Sequence, residues 1–129
     1  MQTLPLRLDP GVDLRAALEG ATSRHGAGFV LAGIGSLSGA ALRFADQPIE
    51  TAIDGPLEVI SLCGSLGADG AHLHMAVSDA VGRVWGGHVG YGNIVRTTME
   101  VLLAILPDWS LGREQDPATG FKELVVRRR

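Results

Sequence analysis

Apolar and polar positions alternate at the start of the chain. Leu4, Leu6 and Leu8 are separated by Pro5 and Arg7, a period of two that predicts a strand with proline tolerated near its edge or start. The period then lengthens. Leu14, Ala17, Leu18 and Ala21 share one face at helical spacing, which predicts a helix over Asp13–His25 with Asp9 or Asp13 near its start and Gly26 as its stop signal. Gly28–Gly35 is short and apolar and reads as a buried strand, with a bend at Ser36–Gly39 before a further stretch, Ala40–Phe44. Ile49–Ile53 is expected as a short strand, followed by a turn at Asp54-Gly55-Pro56. Leu57–Leu66, Leu73–Val77, Val84–Val89, the long apolar Ile94–Leu106 and a terminal Phe121–Val126 complete the strands, and Asp108–Gly120 is the least regular part.

Strands outnumber helices, and the glycine-containing connections are short, which suits antiparallel neighbours better than parallel crossovers. The expected class is α+β: a single domain over residues 1–129, mainly antiparallel sheet with one or two helices. A chain of 129 residues that is 46% hydrophobic is long and apolar enough to bury one core.

Composition then narrows the functions. A net charge of −3 with a single lysine gives no general attraction to nucleic acid, and the one basic cluster, Arg127-Arg128-Arg129, reads as a solvated tail. One tyrosine and three phenylalanines leave little surface for base stacking. No run approaches the roughly 18 apolar residues of a membrane span, and Met1–Pro10 lacks the layout of a signal peptide, so a cytoplasmic location is expected. Cys63, in the apolar run Leu57–Cys63, is expected to be a small buried hydrophobe. Gly33-Ile34-Gly35 and Gly86-Gly87 extend to neither the dinucleotide fingerprint nor the Walker pattern and read as structural glycines.

The histidines carry the candidate chemistry. His72 and His74 are two apart on a predicted strand, so they share a face and can reach one ion. A hairpin closed by Ala80-Val81-Gly82, with Gly82 in the left-handed position and Asp79 flanking Arg83, sets Ser78 opposite Val84, Ala76 opposite Gly86 and His74 opposite His88. All three histidines then lie on one face. The other face reads Leu73, Met75, Val77, Trp85 and Val89, an apolar set that fits a core and fixes the same register independently. Gly86 leaves room for water or ligand beside an ion.

Three imidazoles with an open fourth position suit zinc and, by ligand type, nickel, cobalt or iron nearly as well; zinc leads on frequency. Such a site can activate a bound water, but hydrolysis also needs a proton shuttle and a substrate pocket. Glu58 and Glu100 are the catalytic candidates, carboxylates in apolar strands that could also orient a ligating histidine. The alternative for each is an edge or interface position paired with an arginine such as Arg96. His25, at a helix end, reads as a capping or surface residue.

Gly33-Ile34-Gly35-Ser36-Leu37, Glu58-Val59-Ile60-Ser61-Leu62-Cys63-Gly64, His72-Leu73-His74 and Gly86-Gly87-His88 together resemble, in order and spacing, the plant-and-prokaryote-conserved domain family over about Leu4–Leu106. The resemblance implies a mixed α/β domain on an antiparallel sheet, assembly as a homotrimer, and zinc at His72, His74 and His88. In plants the domain is fused to AT-hooks, but this chain has no Arg-Gly-Arg-Pro core, and no established reaction comes with the family. The leading expectation is a trimeric module that binds a divalent metal and a small anionic ligand, with nucleic acid and membrane not expected as partners. A metal-dependent hydrolase or lyase on a small substrate, and a DNA-associated regulator, are the alternatives.

Overall fold

A computed structural model describes residues 1–129. The opening alternation forms β1 (Gln2–Leu8), and the helical stretch forms α1 (Leu14–His25). Asp13 starts α1, its carboxylate accepting the Ala16 N–H at 3.0 Å, and Gly26 ends it with a φ of 91°. His25 lies in the exposed last turn. Leu14, Leu18 and Ala21 are the buried face of α1, as the spacing predicts.

The remaining elements are strands: β2 (Gly28–Arg43), β3 (Thr51–Gly67), β4 (Gly70–Ser78), β5 (Val84–Val89), β6 (Ile94–Ile105), β7 (Trp109–Gln115) and β8 (Lys122–Arg128). The fold is a single mostly antiparallel domain with one helix, in agreement with the α+β expectation. The main sheet runs β1-β6-β2-β3-β4-β5, and β7 and β8 form a separate hairpin. The far end of β2 also pairs with β5, Leu42 opposite Val89 and Arg43 opposite His88, so β2, β3, β4 and β5 close into a ring. The core fills the inner face with Leu42, Leu57, Leu66, Leu73, Met75, Val77, Val89 and Met99, together with the buried face of α1. Asn93 is fully buried within this apolar setting and is satisfied throughout: its Nδ2 donates to the carbonyls of Ala41 and Gly90, and its Oδ1 accepts the Ala41 N–H.

Several boundaries differ from the sequence reading, and the reasons are local. The bend expected at Ser36–Gly39 and the turn expected at Asp54-Gly55-Pro56 face each other as one irregularity between two long continuous strands, where the β2–β3 register slips between Leu37 and Gly39. Turn-forming residues are thus absorbed as a bulge because both flanks stay paired. A second slip, between Val59 and Ser61 of β3, leaves Ile60 without a partner and reverses the alternation beyond it. Leu62 therefore turns inward at 2% exposure, and Cys63 is exposed rather than buried. The segment read as irregular contains β7, and Arg127 and Arg128 belong to β8 instead of a free tail, with Arg127 paired to Glu114.

Candidate metal centre

His72 and His74 project from the outer face of β4, and His88 from β5 directly opposite His74. The expected hairpin register is therefore met pair by pair: Ser78 with Val84, Ala76 with Gly86, His74 with His88. Its turn has the expected chemistry. Gly82 has a φ of 83°, and its N–H donates to the Asp79 carbonyl, while the Asp79 side chain accepts the N–H groups of Val81 and Arg83 and the Arg83 guanidinium. Trp85 is half-buried against the core under that guanidinium.

The three imidazoles lie against one another. Ring centroids are 4.6 Å apart for His74 and His88, 5.0 Å for His72 and His74, and 5.4 Å for His72 and His88. One donor nitrogen from each falls within 4.8 Å of the others. Neutral imidazoles at this separation, on an accessible face, fit a shared divalent ion with room for a further ligand. The ion would be held by His72, His74 and His88 and would act as a Lewis acid.

Electrostatics favour the neutral, ligating form. Burial, the Arg113 guanidinium and the two other imidazoles hold His72 below the usual histidine range, with Glu123 opposing. Burial, Arg43 and His74 lower His88 in the same way. Both arginines sit at the centre. Arg43 is the cross-strand partner of His88. Arg113 reaches in from β7: its Nη2 donates to Ser65 Oγ at 3.0 Å and to His72 Nδ1 at 2.8 Å, and its backbone N–H donates to Asp69 Oδ2 at 2.7 Å. A cleft of about 920 Å³ opens beside His72 and His88, with Arg43, Arg113, Lys122, Asp46, Asp69 and Glu123 on its walls.

Neither arginine was singled out from the sequence. Arg43 reaches His88 only through ring closure, and Arg113 lies in the stretch that carries no clear periodicity. Glu58 and Glu100 are exposed, and neither joins the histidine set nor lines the cleft. Glu58 opposes Ser78, four residues from His74 along β4, about 13 Å at the rise of a strand. Glu100 stands on β6 opposite Arg7 and Ile34. Neither forms an ion pair with Arg96 or another arginine of the same chain.

Comparison with known proteins agrees with this architecture. Two Synechococcus proteins named bifunctional protein GlmU are each 46% identical to the chain over 98% and 99% of its length, while the chain spans only 20% and 21% of theirs. A hypothetical protein of Salmonella enterica has a structure that superposes with a TM-score of 0.95 at 38% identity, covering 99% of this chain and 94% of that one. A metal-containing protein from Archaeoglobus fulgidus superposes with a TM-score of 0.83 at 25% identity, covering 97% and 94%. Residues 1–107 match the sequence profile of the Plants and Prokaryotes Conserved (PCC) domain. By that match and by a fold shared along nearly its whole length, the chain belongs to the Plants and Prokaryotes Conserved domain family.

Proposed function

We propose that this protein is a homotrimeric module that binds a divalent metal, zinc foremost, through His72, His74 and His88. The observation that carries the reading is the convergence of three imidazole nitrogens within 4.8 Å on an accessible sheet face. Two features support it: the lowered proton affinity of His72 and His88, and the metal-containing relative from Archaeoglobus fulgidus. Self-association is supported by exposed apolar residues, Leu31 and Ile34 on β2 and Ile60 on β3, and by an open, mainly apolar groove of about 640 Å³ in which Pro5, Leu6, Ala32, Ile34, Val101 and Leu102 are joined by Arg7 and Glu100. Exposed apolar surface bordered by charged residues is the kind that subunit contacts cover.

Elemental analysis of untagged protein, incubated with zinc, cobalt or nickel and then desalted, tests the metal reading. Wild type should retain stoichiometric metal, and the double variant His74→Ala, His88→Ala should retain none. Wild-type protein that emerges free of all three metals would sink the proposal.

A further inference from the structure

We infer that Arg113 and a metal ion compete for His72, and that the guanidinium released on metal loading binds an oxyanion, a carboxylate or phosphate, beside the ion. The inference rests on the metal reading above and extends it to a ligand and a positioning residue. Arg113 lies outside residues 1–107, in the hairpin that follows the family match.

A guanidinium has N–H donors and no acceptor. His72 Nδ1, 2.8 Å from Arg113 Nη2, must therefore be accepting, and a neutral His72 carries its proton on Nε2. In that state neither ring nitrogen can ligate: the Nδ1 lone pair is engaged, and Nε2 has none to offer. Ligation through Nε2 requires the proton to move to Nδ1, which sets one N–H against another. Ligation through Nδ1 takes the lone pair that Arg113 uses. By either nitrogen, metal binding at His72 and the Arg113 hydrogen bond exclude each other.

Once displaced, the guanidinium stays close, because the Arg113 backbone N–H is anchored to Asp69 and Ser65 remains within its reach. It then faces the cleft that also holds Arg43 and Lys122. Three carboxylates there, Asp46, Asp69 and Glu123, balance the charges of Arg43, Arg113 and Lys122, so the excess positive charge that draws an anion is that of the metal ion itself. Asp69 and Glu123 are partly occupied by the Arg113 backbone N–H and the Thr119 hydroxyl. A divalent ion flanked by two guanidiniums is an environment for a small oxyanion, and the fork of Arg113 suits two parallel hydrogen bonds to it. Metal and anion binding are then positively coupled, since each favours the displaced arginine.

Long-range 1H–15N spectra of the metal-free protein should find His72 protonated at Nε2, and R113M should lose that bias. In cobalt titrations at constant ionic strength, R113M should bind roughly tenfold more tightly than wild type, because a charge-assisted hydrogen bond no longer competes. Acetate, used as the anionic probe, should tighten cobalt binding and change the cobalt absorption spectrum in wild type and do neither in R113M. Protonation at Nδ1 in metal-free wild type, equal cobalt affinities, or an acetate effect that persists in R113M would each overturn the inference. Wild type that binds none of zinc, cobalt and nickel removes the metal reading itself, whereas equal cobalt binding by both proteins removes only the role of Arg113.

Discussion

At the residue scale, the balance between a proton and a metal at His72 and His88 sets the pH response. Both groups sit below the ordinary value of 6.5, so protons compete with metal only at pH values under the usual histidine range. Metal retention followed by dialysis across a pH series should show release there rather than near 6.5. The metal-free protein should respond as well. Between the native values and 6.5 the unfolded chain holds more protons than the native one, so stability rises with pH and is lost as pH falls through the native values. The melting temperature of wild type should fall relative to that of a His72→Ala, His88→Ala variant as pH drops through that window, because only wild type carries the cost of charging these rings, and the difference between the two should stay constant above it. The histidine pairing itself was legible in the sequence, because a short hairpin links residues separated by few positions and its apolar face fixes the register. Arg113 and Arg43 were not, because nothing local marks a side chain whose partner lies 41 or 45 positions away.

At the element scale, the approach of β5 to β2 holds His88 in place, and Gly87 permits it. A Cβ at Gly87 would lie 2.7 Å from the Arg43 carbonyl oxygen, whereas one at Gly86 meets only the Met75 oxygen at 3.4 Å. Gly87→Val should cost about 1–3 kcal/mol in urea unfolding, as overpacking does, and should weaken metal binding by tilting His88; Gly86→Ala should do much less of both. Individual elements were well marked in the sequence where the period was clean, as in β1, α1, β4 and β5. The signal failed where a bulge shifts the alternation, at Ile60, and where turn residues are held extended by pairing on both sides, at Asp54-Gly55-Pro56. Alternation reports which face a residue takes only while the count of residues on the two strands stays equal.

At the scale of the whole molecule, the exposed apolar residues of β2 and β3 predict the assembly. The double variant Ile34→Asp, Ile60→Asp should elute as a monomer in size-exclusion chromatography with light scattering, while wild type elutes as a trimer; a wild-type monomer at micromolar concentration would remove the trimeric reading. Fold class followed from the ratio of strands to helices, but ring closure and strand order did not, since pairing across the chain leaves no local trace. That order governs how the protein is made. β1 and one edge of β2 both wait for β6, with Gly28 opposite Ile105, so during synthesis β1 stays unpaired, and β2 paired only to β3 and the strands beyond it, until β6 has left the ribosome. A chain halted before β6 leaves β1 without a partner and one edge of β2 uncovered at once, and for a translating cell the emergence of β6 is the step that removes both hazards together.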